Sequence, residues 1–397
     1  MHVFVIPSWV SGVSDACSGI FMLEQAQTIA RLYPWWTVTF SAVNHHVLTT
    51  RLITLRKIWQ GLSARPRAAP AAAPARFIHQ KRHVFVRRSR LLEGDIAPII
   101  AAHRRHLLAA AERPDLLHAH VAWPAGAAAR SLSREFGIPY IVTEHMAPFP
   151  LPGRPLADAA GRATRIALEP LTDADAVVAV GLPLAAAMRE HGLDRPVRII
   201  PNGVDTGIFH PSAEAPAGRV FTFLTVSRLT DEKGITDLLL AIREFRLAGG
   251  QARFRIAGAG PRAHYERLAQ RLGVAEAIRF LGPLGRAEIA AELQSAQALV
   301  MPARHESFGV VAIEAMASAI PVLATRSGGP ESIITAETGL LVEPASPEDL
   351  ARGLAAMQSA AGTFDRDAIL AACRRYGADS VAEQVAALYR EVLARRP

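Results

Sequence analysis

Cysteine is almost missing from this chain. The 397 residues hold two, Cys17 and Cys373, in opposite halves. That excludes a disulfide framework. With no Cys/His pair at metal-ligand spacing it also excludes a zinc module, so no metal is expected and a reducing cytoplasm fits best. Long apolar runs are missing too, and no stretch approaches the roughly 20 residues that a membrane-spanning helix needs. The opening Met1-His2-Val3-Phe4-Val5-Ile6-Pro7 has no charged segment before its apolar run and breaks at Pro7. It is expected to be a first strand and not a signal peptide. There is no Gly-x-Ser-x-Gly elbow and no Gly-Lys-Ser/Thr phosphate loop, so hydrolase and ATPase readings lack their motifs. The second half has no Gly-x-Gly-x-x-Gly followed at the usual distance by a ribose-binding acid, which argues against a dehydrogenase. No short-period repeat is present, so a solenoid is excluded.

What is present is length, apolar content and an uneven charge. At 397 residues, half of them apolar, the chain can bury two cores and is expected to form two domains. Residues 1–205 carry 23 Lys+Arg against 15 Asp+Glu, which accounts for the whole net charge of +8. The excess is densest over residues 51–106, with 13 basic and 2 acidic residues. A basic face suits an anionic membrane surface, a phosphorylated acceptor or nucleic acid; it is equally the solvated surface of an arginine-rich protein. Nucleic acid is the least favoured partner, because no helix-turn-helix, zinc finger or aromatic-basic motif accompanies the charge.

Short apolar runs alternate with amphipathic stretches, the pattern of parallel α/β domains. In the first half strands are expected at 3–6, 37–43, 84–86, 116–119, 140–143, 176–180 and 197–200. Helices are expected near 20–32, 96–111, 124–136, 156–171 and 183–191. The Ala-, Pro- and Arg-rich residues 64–75 read as a loop. A fresh series follows Pro201-Asn202-Gly203, with strands at 222–226, 253–257, 277–281, 298–301, 321–324 and 339–342. Its helices are expected near 235–248, 263–272, 286–293, 309–317, 330–334, 347–358, 365–376 and 380–394. The expected fold is two Rossmann-like doubly wound domains facing across a cleft, with ligands outside the carboxyl ends of the strands. The domains are placed at 1–203 and 204–378, and a last helix in 379–397 packs back on the first.

The most informative segment runs from Arg304 to Glu314 and contains His305-Glu306-Ser307-Phe308-Gly309-Val310. Two carboxylates eight residues apart flank a turn that opens an apolar helix. Such a turn aims unpaired N–H groups at one point and holds an anion there. Glu306 sits in the turn and Glu314 is expected about two turns into the helix, a spacing suited to gripping a nucleotide sugar by phosphate, sugar and ribose together. Ser227-Arg228-Leu229-Thr230-Asp231-Glu232-Lys233-Gly234 follows a strand, and Arg228 and Lys233 have the reach to meet a diphosphate; a surface loop with ordinary charges is the bland alternative. Gly258-Ala259-Gly260-Pro261 lets a base or phosphate approach the backbone, and Gly282-Pro283-Leu284 could edge the base; both are also common strand-to-helix connections. Ser18-Gly19-Ile20-Phe21 opens the first helix, where the Gly19 amide could contact phosphate or sugar. His118 and His120, in Leu117-His118-Ala119-His120, are expected on opposite strand faces. His145 follows a strand in Thr143-Glu144-His145-Met146. The three histidines do not read as a metal site.

These residues resemble those of the retaining GT-B glycosyltransferases of the group 1 type, bacterial enzymes that build glycolipids and polysaccharides. The resemblance covers nearly the whole chain. It is strongest through Ser227-Arg228-Leu229, Lys233-Gly234, Gly258-Ala259-Gly260 and the Glu306/Glu314 segment followed by Pro321-Val322-Leu323-Ala324-Thr325 and Gly328-Gly329-Pro330-Glu331. Paired glycines usual before the first helix are reduced here to Ser18-Gly19. The resemblance implies a hexosyl unit moved from a nucleoside-diphosphate sugar to a glycan or glycolipid acceptor, with retained configuration and no cofactor or metal. Arg228 and Lys233 would neutralise the diphosphate, and Glu306 would hold the sugar. Ser227 and Gly258 would border the donor, amides around Ser307, Phe308, Gly309 and Val310 would reach hydroxyls and phosphates, and Glu314 would bond the ribose. His145 would lie beside the reacting sugar. The basic first domain would dock on the inner face of the cytoplasmic membrane. Two other classes stay open: a GT-B nucleotide-sugar epimerase or hydrolase, and a non-catalytic sugar-nucleotide binding protein.

Overall fold

The short apolar runs become the strands of two all-parallel sheets in a computed structural model, which describes residues 1–9, 19–48, 74–212 and 220–395. Cys17, Ser18 and most of the loop expected at 64–75 lie outside the described residues. The chain divides into two units, Met1–Pro201 with Val381–Pro397, and Asn202–Ser380.

In the first unit the strands are β1 (His2–Pro7), β2 (Thr37–Leu48), β3 (Phe77–Arg87), β4 (Leu116–His120), β5 (Tyr140–Glu144), β6 (Ala176–Ala179) and β7 (Val197–Ile199). They lie in the order β3-β2-β1-β4-β5-β6-β7. The helices are α1 (Ile20–Leu32), α2 (Arg88–Leu92), α3 (Ala97–Leu108), α4 (Ala127–Phe136), α5 (Arg165–Thr172) and α6 (Leu182–Glu190). Strands β1, β4, β5 and β6 are buried throughout, as a parallel sheet covered on both faces requires. Two expectations are corrected. Strands β2 and β3 run much further than their apolar runs and stay paired from Val38↔Phe77 to Leu48↔Arg87. The helix expected from 156 begins only at Arg165, because the Asp158 carboxylate accepts from the Ala160 and Arg162 amides and Ala157 bridges Ala163. That local side-chain bonding outcompetes a helix.

The second unit holds β8 (Phe221–Val226), β9 (Ala252–Ala257), β10 (Ile278–Gly282), β11 (Ala298–Met301), β12 (Val322–Thr325) and β13 (Gly339–Val342), ordered β10-β9-β8-β11-β12-β13. Its helices are α7 (Ile235–Leu247), α8 (Arg262–Arg271), α9 (Arg286–Gln294), α10 (Val310–Ala317), α11 (Pro347–Ala360) and α12 (Arg366–Cys373); α13 (Ala378–Ala394) follows. The helix expected at 330–334 is a 3-10 turn, Gly329–Ser332, and α12 closes in a second one, Arg374–Tyr376. Val381, Val385, Leu388, Tyr389 and Val392 of α13 pack into one core with Val3, Val5, Trp36, Val38 and Phe40. Both sheets are thus Rossmann-like and doubly wound, and strand order reverses between β1 and β4 and between β8 and β11. In such sheets ligands bind at the reversal, outside the carboxyl ends. Among the described residues no helix is long and apolar enough to cross a membrane.

Candidate active site

At the reversal of the second sheet, β8 leads into Ser227–Gly234 and β11 into Pro302–Gly309. The two loops are bolted together. The Arg304 amide donates to the Glu232 carbonyl at 2.9 Å, and the Arg304 guanidinium grips the buried Asp237 carboxylate with two bonds of 2.8 Å. A paired fork of this kind fixes direction as well as distance. Gly234 has φ +68°, and a Cβ on it would lie 1.8 Å from the Pro302 carbonyl oxygen. Only glycine lets these loops touch.

Across this junction Lys233 Nζ meets Glu306 Oε2 at 2.8 Å, with both side chains largely buried, 19% and 18% exposed. The Glu306 backbone is pinned by its amide to the Ser327 carbonyl at 2.9 Å and by its carbonyl to the Gly329 amide at 2.7 Å. Gly329 runs so close that a Cβ would sit 2.4 Å from the backbone of Phe308. Phe308 is itself buried, edge-on to Tyr376 at 5.8 Å, so its side chain anchors the turn and only its backbone is placed to serve a ligand. Ser307 is half-buried beside it. Gly309, at φ +102°, caps α10. Lys233, Glu306, Gly309, Val310 and Ser227 share the lining of one small pocket. A cation, a carboxylate and the positive end of a helix therefore converge on one cavity.

The flanking residues differ in how firmly they are held. Arg228 is exposed and only 3.9 Å from exposed Glu232, an ion pair of little worth in water, so its guanidinium can move. A Cβ on Gly258 would lie 1.7 Å from the Ser227 carbonyl oxygen, and the Gly258 amide donates to the Gly282 carbonyl at 2.8 Å. The ends of β8, β9 and β10 are stacked by these contacts, leaving Pro283 exposed and Leu284 half-buried just beyond. Glu314 is the fifth residue of α10, so it lies little more than one turn in and not the two turns expected. It is buried, and its Oε1 accepts from Arg286 Nη1 at 2.7 Å.

In the first unit the histidines gather where β4 and β5 end. His120 Nδ1 lies 2.9 Å from His145 Nε2, and the ring of Phe21 is 4.9 Å from that of His145. His118 and His120 were expected on opposite faces, yet their rings are 4.2 Å apart. Residues two apart on a strand share a face, so the structure overturns that expectation. His118 is fixed between Tyr389 Oη at 2.7 Å and Thr143 Oγ1 at 2.8 Å. The buried Glu144 carboxylate accepts the amides of His145 and Met146, each at 2.9 Å, and of Ala122 at 2.8 Å, clamping the two strand ends together. Between them Val121 is held at φ +76°, a strained setting for a β-branched residue of the kind found at functional sites. Gly19, at φ +70°, opens α1 against the Trp9 ring.

Burial keeps the imidazoles of His103, His106, His118 and His120 neutral. It pushes His118 down to about 3, with His145 adding repulsion, and His103 to about 3, with His106 and His45 adding. His106 falls to about 4 through burial and then Arg82 and His79, and His120 also lies well below its ordinary value. The unfolded chain takes up these protons near pH 6.5, whereas the native unit refuses them until about pH 4 or lower, so stability is complete above 6.5 and falls as pH drops. Glu144, pushed up by burial, opposes this. The second unit's His210, His264 and His305 are exposed. Peptide-resolved hydrogen exchange at pH 7.5 and 5.5 is expected to show protection lost from the first unit ahead of the second; equal loss in both would contradict the assignment.

Comparison with known proteins decides the family. The family model described as Glycosyl transferases group 1 matches residues 209–362, and that described as Glycosyltransferase Family 4 matches residues 62–207. A D-inositol 3-phosphate glycosyltransferase of Corynebacterium glutamicum (strain R) is 32% identical over 308 residues, 70% of this chain and 73% of its own length. The chain belongs to the glycosyl transferases group 1 family. Sucrose-phosphate synthase from Thermosynechococcus elongatus superposes with a TM-score of 0.77 at 21% identity, covering 100% of both chains. The Anabaena protein HepE, crystallised in complex with UDP-glucose, superposes at 0.70 with 18% identity over 98% of this chain and 99% of its own. These solved structures share the GT-B fold with this glycosyltransferase.

Three features of the glycosyltransferase escaped the sequence reading. Asp237 and Arg286 pair with partners 67 and 28 residues away, which no local pattern marks. Phe209, under the Arg286 guanidinium at 4.7 Å, looks like any core aromatic. Lys233 did carry an unused signal: lysine occurs three times in the chain, at 57, 81 and 233, among 44 basic residues. A lysine kept where arginine is the habit points to a site wanting a compact charge.

Proposed function

We propose that this glycosyltransferase moves a hexosyl unit from a nucleoside-diphosphate sugar to a hydroxyl of a glycan or glycolipid, with the anomeric configuration retained. The observation that carries the reading is the Lys233–Glu306 pair at the amino end of α10, lining one small pocket. The donor class is supported by HepE, whose structures are described as complexes with UDP and UDP-glucose. In the proposed reaction the acceptor oxygen forms its bond to the anomeric carbon as the bond from that carbon to the pyrophosphate oxygen breaks. The leaving nucleoside diphosphate takes the electron pair, and a phosphate oxygen takes the acceptor's proton. Arg228, Lys233 and the α10 amides meet the charge that builds on the leaving phosphate, the task a divalent ion would otherwise perform. Glu306 accepts from a sugar hydroxyl and Glu314 from the ribose, with Ser227, Gly258, Pro283 and Leu284 bordering the nucleoside. Gly19 and His145 are the first unit's proposed contributions.

Product analysis tests this directly. Incubation with donor and acceptor, followed by proton NMR of the new glycosidic bond, is expected to show the donor's own anomeric configuration, with a rate unchanged by a chelator. An inverted product, or rapid epimerisation or hydrolysis of donor without acceptor, would contradict it.

The proposal extends to an anionic membrane surface on the cytoplasmic side. Lys81, Arg82 and Arg87 line β3, Arg88 and Arg90 continue into α2, which buries none of its residues, and Phe85 is exposed among them. Basic side chains near such a surface contribute about 1 kcal/mol each. Neutralising these five is expected to weaken co-sedimentation with phosphatidylserine liposomes by at least tenfold; unchanged partitioning would remove the membrane role.

A further inference from the structure

Arg286 occupies an unfavourable place. It is the first residue of α9, where the helix's positive end repels a cation. It is nonetheless largely buried, 14% exposed, with Nη1 2.7 Å from Oε1 of a Glu314 side chain that is 5% exposed. Its guanidinium carbon lies 4.7 Å from the centre of the buried Phe209 ring. The residue before it, Gly285, is fixed by its amide to Glu288 Oε2 at 2.6 Å. A cation set against a helix dipole, out of water, between a carboxylate and a ring face is held by those two partners.

We infer that Arg286 is a positioning residue for nucleoside recognition: it orients the Glu314 carboxylate toward the ribose hydroxyls and ties that carboxylate to the base-side loop Gly282–Gly285. The inference rests on the proposed donor site and names a residue that site does not otherwise contain. The geometry explains the coupling. Glu314 projects from α10, the same helix whose amino end receives the phosphates, while Arg286 continues the loop that ends β10. One ion pair therefore links the ribose end of α10 to the loop beside the base. A buried carboxylate whose Oε1 is held by a guanidinium at 2.7 Å is restrained from swinging between rotamers, so its oxygens keep one direction. A ribose that supplies hydroxyl donors along that direction is favoured over one that lacks them, because the deoxy sugar leaves a buried acceptor without its bond.

The test compares binding of ribonucleoside and deoxyribonucleoside diphosphates. The wild-type chain is first screened with UDP, GDP and ADP, and the nucleotide that binds is measured by calorimetry against its 2′-deoxy and 3′-deoxy forms. Wild type is expected to prefer the ribonucleotide by about tenfold or more over at least one of them. Arg286→Ala is expected to bring that ratio close to one, as Glu314→Gln does, and the double variant is expected to be no worse than Glu314→Gln alone. A merely structural role for Arg286 would weaken all three nucleotides alike and leave the ratio standing, which overturns the inference. A wild type that binds the nucleotide but shows no ribose preference overturns the inference together with the ribose role of Glu314. No binding by any of the three defeats the donor site itself. If the alanine variant does not fold, Arg286→Lys reads the same ratio: a partial loss is expected, and an unchanged ratio contradicts the inference.

Discussion

Replacing Lys233 with alanine is expected to lower kcat/KM by about a thousandfold, the scale on which an enzyme loses a donor aimed at developing charge. Lys233 joins both halves of the proposed site, since its ammonium lies 2.8 Å from Glu306 and lines the pocket with Gly309. Its loss removes positive charge where the departing phosphate would gather negative charge. It also leaves the Glu306 carboxylate, 18% exposed, without its cation, which adds repulsion toward the same phosphate. Arginine is not expected to rescue, because the ammonium sits as a compact point between two pinned loops and a planar fork needs more room. Arg304 with Asp237, and Gly234 against Pro302, hold those loops without Lys233, so the native fold should persist although the uncompensated carboxylate lowers the melting temperature. Steady-state kinetics with near-native circular dichroism checks this; activity within tenfold of wild type would contradict it.

Glu306→Gln is expected to separate binding from turnover. The carboxylate holds the Lys233 ammonium at 2.8 Å and would compete with a donor phosphate for it, so an amide in its place would free the ammonium for the nucleotide. Nucleoside-diphosphate affinity is therefore expected to hold or rise. Turnover should fall by about two to three orders of magnitude, because a neutral amide accepts a sugar hydroxyl less strongly and does not stabilise positive charge on the reacting ring. The sign is the informative part: Lys233→Ala weakens nucleotide binding, and Glu306→Gln does not. Calorimetry of the two variants beside their kinetics reads both. An equal loss of nucleotide affinity in Glu306→Gln would mean that its carboxylate braces the pocket and does not act on the sugar.

The core strands of both sheets were legible because burial on two faces leaves uninterrupted apolar runs, as in Leu299–Val300 of β11 and Leu323–Ala324 of β12. Legibility failed where polar residues enter strands. His45, His46, His79 and His83 break the apolar pattern of β2 and β3, and only their pairing across the register shows that these are continuous strands. It failed again at 156–164, where Asp158 closes a local loop that helical spacing had hidden. At the site, Glu306, Lys233 and Gly309 were readable as types in a turn between strand and helix. Their convergence depends on β8 and β11 being neighbours, a property of sheet order. The pairs Arg304–Asp237 and Arg286–Glu314 are still less accessible to a linear reading, because each joins two elements that meet only in the folded unit.

Isothermal titration of the wild-type chain and Lys233→Ala with UDP, GDP and ADP tests the central claim most directly: a cation and a helix's amino end in the second unit hold a nucleoside diphosphate. Saturable heat with one of the three, weakened at least tenfold by the substitution, is the expected result. No heat with any of them, or the same affinity in both proteins, would contradict the account.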